Sequence, residues 1–204
     1  RSAASAAPGV LGIFTGEDLA ADGLGTMLPT VQRKRPDGSP MFARSHPGLA
    51  TGHVRFVGDP FLLILAETRS LALDAAELIE VDFDELPSVT DTARAAAGKA
   101  AVWDECPDNI SNVFETGDGA ATDAAFAKAA KIVYRRYVIS RVYAHFMEPR
   151  GVIGNYDPGE DRYTLYADVQ YPHRVRNALA SKIFKIPENK MRVIAGDVGG
   201  GFGT

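Results

Sequence analysis

The chain has 204 residues, 46% of them hydrophobic and 24% charged, which is the composition of a soluble globular protein with one or two domains and a real core. Its net charge of -4 argues against nucleic acid as a partner, since phosphate binding needs a clustered basic surface, and it has neither a membrane-length apolar run nor a signal-peptide start. The single cysteine, Cys106, excludes an internal disulfide and a cysteine-only metal site, in keeping with a reduced, cytoplasmic protein.

From the amino end, residues 10–14 read as a short apolar strand, and Thr15-Gly16-Glu17-Asp18-Leu19 has the composition of a helix start. Between residues 23 and 52 proline and glycine are frequent and no period holds. This predicts a long irregular loop of the kind that is functional or meets a partner. The continuous apolar run at residues 60–66 predicts a strand covered on both faces. Leu71, Ala75, Leu78 and Ile79 then share one helix face, with Thr68 or Ser70 as cap. Residues 79–83 alternate as a half-buried strand does. Strand, helix and strand in this order make a small layered α+β unit.

Residues 90–112 are rich in alanine and polar residues and lack a sustained apolar face. The boundary falls there: a first domain over residues 1–92, a linker over 93–112 with Trp103 as local anchor, and a second domain over 113–204. The second begins with a helix capped by Thr122, with Phe126, Ala130 and Val133 on one face. Residues 133–139 alternate as a strand, and residues 151–156 and 163–167 flank the turn Asp157-Pro158-Gly159-Glu160 as a hairpin. Pro172 fits the first turn of a helix whose apolar stripe is Val175, Leu179 and Ile183, and Pro187 stops it. Residues 191–195 form a last short strand. The fold class expected is α+β.

That strand runs into Gly199-Gly200-Gly201-Phe202-Gly203. Such a backbone has almost no side-chain cover, reaches positive φ, and can bring its N–H groups against a ligand. Successive exposed N–H groups suit a phosphate or a metal-bound oxygen; a flexible turn has the same composition. A dinucleotide fingerprint fits poorly, because the third glycine is out of step with G-x-G-x-x-G. Gln170, directly before the Pro172 helix, is either a neutral amide donating to a buried ligand or a surface residue of a strand-to-helix turn. In His145-Phe146-Met147-Glu148-Pro149-Arg150-Gly151 the carboxylate and guanidinium can fix one another, fix a neighbouring loop, or stand solvated at a hairpin end. One histidine and one glutamate are too few for a closed metal site. His46, His53 and His173 show no ligand spacing, and there is no serine elbow, zinc helix motif or P-loop lysine.

Together the segments are more specific. Val54-Arg55-Phe56-Val57-Gly58-Asp59-Pro60, Ala66-Glu67-Thr68-Arg69, Asp74 to Asp82 and Leu86-Pro87 resemble the α/β "hammerhead" domain of molybdenum hydroxylase large subunits. Met147-Glu148-Pro149-Arg150, Gln170 and Gly199-Gly200-Gly201-Phe202-Gly203 then follow in the order and approximate spacing of that family's cofactor-binding region. The family includes xanthine dehydrogenase, aerobic carbon monoxide dehydrogenase, aldehyde oxidoreductases and dehydrogenases of N-heterocycles.

The resemblance implies a hammerhead domain followed by the start of a mixed α+β molybdopterin-binding domain. It implies that Gln170 faces an oxygen ligand of molybdenum, that Phe202 and Gly203 belong to the loop lying against the metal, and that Gly199, Gly200 and Gly201 let that loop approach the pterin. The cofactor implied is molybdenum with molybdopterin cytosine dinucleotide, and the reaction is hydroxylation of a small substrate with an oxygen derived from water. Electrons would pass to [2Fe-2S] clusters and FAD on a small iron–sulfur subunit and a medium FAD subunit, in a hetero-oligomer. The Met-Glu-Pro-Arg form leans towards the carbon monoxide dehydrogenase branch. Because the chain opens at Arg1 and stops at Thr204, the expectation is a piece of a large subunit, with the base glutamate downstream and no catalytic residue or direct metal ligand in this part. A non-catalytic piece serving assembly or partner binding is the competing reading.

Overall fold

The computed structural model describes residues 1–98, 100–140 and 143–203. It opens with a one-turn helix α1 (Ser2–Ser5), strand β1 (Val10–Thr15) and helix α2 (Gly16–Ala21). The strand-to-helix corner is fixed by a capping box: the Thr15 N–H donates to Asp18 Oδ2 (2.8 Å), and the Asp18 N–H returns to Thr15 Oγ1. That hydrogen bonding to Thr15 holds the Asp18 carboxyl below its ordinary range.

The long loop then runs to β2 (Leu62–Ala66), which pairs antiparallel with β1 in a two-stranded ribbon with Ile13 opposite Ile64. Helix α3 (Arg69–Glu77) follows, and of the two expected caps Thr68 is the one used, accepting from the Leu71 N–H at 3.3 Å. α1 and α3 lie against the ribbon, with Ala4, Ile13 and Ala75 buried between them. β2 is not covered on both faces as its unbroken apolar run predicts. Leu63 and Leu65 are 53% and 51% exposed, on the side of the strand away from α1 and α3 among the described residues. Residues 79–83 form no strand; no described strand stands beside them to supply the ladder hydrogen bonds that alternation alone cannot provide.

Helix α4 (Thr92–Ala95) is short and capped by Asp91. Trp103 anchors the region after it. The Arg55 guanidinium lies 4.1 Å and that of Arg44 5.4 Å from its ring, and Phe42 packs against it at 6.3 Å. Arg44 also pairs with Glu105 (2.8 Å) and Arg55 donates to the Val102 carbonyl, so the long loop is strapped onto residues 102–111. The cap of helix α5 (Gly119–Lys128) lies four residues before the expected one. Asp118 caps it, accepting from the Ala121 N–H at 2.9 Å, while Thr122 lies inside and donates its hydroxyl back to the Asp118 carbonyl. Since α5 ends at Lys128, Ala130 and Val133 do not share a face with Phe126. Residues 133–139 likewise form no strand, and Ile139 is 93% exposed.

The remaining elements come in the expected order, although Leu179 and Ile183 of the expected helical stripe lie beyond the α-helix. Strands β3 (Val152–Asp157) and β4 (Arg162–Ala167) form the hairpin, its turn closed by Asp157 Oδ1 accepting from the Gly159 and Glu160 N–H groups. Helix α6 (Pro172–Ala178) carries proline in its first turn and widens into a π turn, Leu179–Phe184. Lys185, at φ 54°, breaks the helix two residues before Pro187. A 3₁₀ turn, Glu188–Lys190, leads into β5 (Met191–Ile194), which pairs parallel with β4. The sheet order is β3-β4-β5. Ala167, Ala180 and Met191 are buried between this sheet and α6, beside a stack of Tyr156, Tyr163 and Phe184 rings. The Gly25 N–H donates to the Ile183 carbonyl (2.8 Å) and Lys185 Nζ to the Gly23 carbonyl (2.7 Å), tying the long loop to the π turn. Among the described residues no helix is long and apolar enough to cross a membrane.

Candidate functional site

The register of the second sheet determines which loops meet. Val152 pairs with Ala167 and Tyr166 with Ile194, so the start of β3 and the ends of β4 and β5 share one edge. Residues 145–151, 168–171 and 195–203 leave the sheet there. Ligands bind outside the carboxyl ends of parallel strands, and β4–β5 is the parallel pair of this sheet.

The three segments interlock at the glycines. The Gly199 N–H donates to Glu148 Oε2 at 2.5 Å. A side chain at Gly199 would run into Glu148, one at Gly200 would lie 2.8 Å from the Phe202 ring and 3.1 Å from Phe146 Cβ, and one at Gly201 would lie 2.7 Å from Gln170 Nε2. Each of the three consecutive glycines therefore faces a different neighbour. Gly200 (φ 123°) and Gly203 (φ 80°) have left-handed backbones, and so does Phe202 (φ 48°). For a residue other than glycine this costs about 1–2 kcal/mol. The Phe202 ring is 75% exposed, so its own packing does not offset that cost.

The segment that carries Glu148 is braced on both sides. Phe146 is buried, with the Tyr143 ring 5.5 Å and the Arg150 guanidinium 5.7 Å from its ring. The Gly151 N–H donates to Asp168 Oδ1 at 3.3 Å, joining it to the segment that holds Gln170. Gln170 stands three residues beyond the end of β4 and two before Pro172. The expected site residues are thus neighbours: Gln170 lies against Gly201, and the loop from Gly199 to Gly203 lies beside it. Sequence reasoning left Glu148 among three alternatives and did not single out Phe146 or Asp168. The spacing of Glu148 two residues after an apolar aromatic was the available signal, but it names no partner.

Chemically, the arrangement offers a neutral amide and a backbone stripped of side chains, which suits holding an anionic or oxygen-rich group. Among the described residues no three His, Cys, Asp or Glu side chains gather as metal ligands. His145 does not join Glu148 in such a cluster. A cavity of about 790 Å³ lies elsewhere, between residues 26–59 and 102–111, and none of the three segments lines it. Cys106 borders that cavity. It is 5% exposed, and burial, with the neighbouring Asp108, pushes its thiol up from the ordinary range.

Residues 1–87 match the family model described as "Aldehyde oxidase and xanthine dehydrogenase, a/b hammerhead domain", and residues 102–204 match "Molybdopterin cofactor-binding domain". The chain is 37% identical over 161 residues to the nicotine 6-hydroxylase large subunit of Paenarthrobacter nicotinovorans, covering 79% of this chain and 20% of that protein. It is 34% identical over 217 residues to the carbon monoxide dehydrogenase large chain of Hydrogenophaga pseudoflava, covering 100% of this chain and 26% of that one. The crystal structure of quinoline 2-oxidoreductase from Pseudomonas putida 86 superposes with a TM-score of 0.84 at 32% identity, over 99% of this chain and 25% of that one. The chain thus spans about a quarter or less of the length of these relatives. A hammerhead domain, a molybdopterin-binding segment and the order of their motifs make this chain a member of the xanthine dehydrogenase, carbon monoxide dehydrogenase and aldehyde oxidoreductase family of molybdenum-dependent large subunits.

Proposed function

We propose that this chain supplies the cofactor-facing edge of a molybdenum hydroxylase that oxidises a small substrate (carbon monoxide, an aldehyde or an N-heterocycle) with oxygen derived from water. The observation that carries the reading is the meeting of Gln170 Nε2 with the bare backbone of Gly201, beside a glycine held by Glu148. The residues fit a molybdenum–pterin group: a Cβ at any of three successive positions would crowd a neighbour, and the nearest side-chain donor is a neutral amide. When bound, the cofactor takes up the substrate's electrons, and its organic frame carries the metal.

Within that reaction the chain binds, orients and supplies dipoles. Gln170 donates a hydrogen bond to an oxygen of the bound group without adding charge. Phe202 and Gly203 belong to the loop that lies against the same group, and Gly199, Gly200 and Gly201 allow the close approach. No residue of this site moves a proton; the base belongs to another part of the complete subunit. The cofactor form is molybdopterin cytosine dinucleotide. Electrons continue to [2Fe-2S] and FAD centres on a small and a medium subunit, so the working unit is a hetero-oligomer. The exposed apolar side chains of Val133, Tyr137, Val138 and Ile139 support packing against further polypeptide in such an assembly.

The test is metal and pterin analysis of the complete purified protein and of its Gln170→Ala variant. Stoichiometric molybdenum in the parent, with turnover lowered about 10²–10³-fold in the variant, is the expected result. A parent protein without molybdenum refutes the reading.

A further inference from the structure

We infer that Glu148 is a positioning residue that latches the entry of the glycine loop and thereby keeps Gly201 against Gln170. The inference rests on the cofactor-facing reading of that loop.

The loop's own residues favour no single conformation. Three successive glycines leave it with more conformational freedom than any other residue type would. Phe202 sits in a left-handed backbone with its ring mostly in solvent, so the aromatic residue does not anchor it. The segment of Glu148 is the opposite. Phe146 is buried two residues before, the Gly151 N–H is bound to Asp168 three residues after, and Pro149 stiffens the chain between. Glu148 therefore extends from a fixed point towards a pliable one.

Its contact is also specific. A carboxylate acceptor on a backbone N–H makes a stronger hydrogen bond than a neutral acceptor does, and Gly199 donates to Glu148 Oε2. Glu148 Cβ and carboxylate both lie where a Cβ on residue 199 would stand. The glutamate thus fills the space that the missing side chain leaves, and it fixes the backbone by one bond and by contact. One residue further Gly200 meets Phe146, and one further again Gly201 meets Gln170. Register at the first glycine sets register at the third. Glu148 consequently acts on the bound group through the loop, and Gln170 is the side chain that faces it.

The test uses the complete purified enzyme and its Glu148→Ala and Glu148→Gln variants. Amide hydrogen exchange is followed in peptides spanning residues 195–203, and molybdenum content is measured alongside. In Glu148→Ala, exchange in that segment rises about tenfold, as loss of one hydrogen bond to a charged group requires. Glutamine keeps an acceptor oxygen at the same reach, so Glu148→Gln stays within about threefold of the parent. Exchange in Glu148→Ala equal to the parent overturns the inference, and so does a Glu148→Gln variant as fast as Glu148→Ala. The two readings fail separately. A parent enzyme without molybdenum defeats the cofactor reading while the exchange comparison still stands; a loaded parent with unchanged exchange in Glu148→Ala defeats only the latch.

Discussion

Substituting Gly201 by alanine separates the geometry of the site from the stability of the fold. Gly201 does not have a left-handed backbone, so alanine imposes no conformational strain there. The added methyl would lie 2.7 Å from Gln170 Nε2 and 3.2 Å from Gln170 Cδ. Ordinary contact begins at about 3.5 Å, so the overlap is roughly 0.8 Å at the nitrogen. The atom that must give is the far end of an exposed, flexible side chain, and the amide swings away while the backbone stays. Stability therefore changes by no more than about 0.5 kcal/mol. Function changes far more: losing one placed hydrogen-bond donor costs about 10²–10³ in turnover, or ~2.7–4 kcal/mol. The assay is a thermal unfolding curve plus turnover per bound molybdenum, for Gly201→Ala, Gln170→Ala and the double variant. Because both single changes remove the same donor, the double variant loses no more than Gln170→Ala alone. Independent, additive losses refute the reasoning, and so does full turnover in Gly201→Ala.

Gly25→Ala acts in the opposite sense, because its methyl would collide with the Lys182 backbone carbonyl, which cannot rotate away. Overpacking and loss of the Gly25 N–H to Ile183 bond together destabilise by about 2–4 kcal/mol, visible in denaturant melts; a change below about 1 kcal/mol contradicts the docking of the long loop on the π turn. Acid should weaken the fold. Thr15 hydrogen bonds hold Asp18 below its ordinary range, Lys190 and Tyr156 hold Asp161 there, and Asn177 and Arg176 hold Glu188 there. Depressed folded values mean a contribution that is complete above the unfolded carboxylate range near pH 4 and is lost as pH falls through the folded values; urea midpoints that rise between pH 5 and pH 3 would reverse the sign. Cys106, buried and with its thiol pushed up by burial, should resist alkylation at pH 8 until the chain unfolds, and equal rates in native and denatured protein would contradict its placement.

The elements legible in the sequence are those whose signals are local. The β3–β4 hairpin follows from one turn, whose aspartate closes it with two hydrogen bonds, and α6 follows from Pro172 and a helical stripe. Residues 79–83 and 133–139 carry equally good alternation and form no strand, because a strand is completed by a neighbour that its own residues do not encode. The α5 cap was misread for a different reason. Asp118 and Thr122 both have capping side chains, and only the backbone shows which one stands at the end of the helix. At the candidate site, the order of the motifs singles out Gln170 and the glycines, which the fold sets side by side, whereas it does not give the partner of Glu148, since Arg150 lies nearer in sequence than Gly199.

What brings Glu148, Gln170 and Gly199 together is the direction of a single strand. In a hairpin continuation β5 would run antiparallel to β4, and the glycine loop would leave at the Asp157–Arg162 end. The six residues of β4 span about 20 Å at 3.3 Å each, so Gln170 and Gly201 would then stand on opposite edges. The crossover through α6 and its π turn returns the chain to the first edge, so β5 runs parallel to β4. β3, antiparallel to β4, begins where β4 ends. Three segments far apart in sequence thus leave the sheet within reach of one another. The glycine loop is then met by Glu148 and Phe146 from one neighbouring segment and by Gln170 from the other, and the connection through α6 is as much a part of the site as the residues that line it.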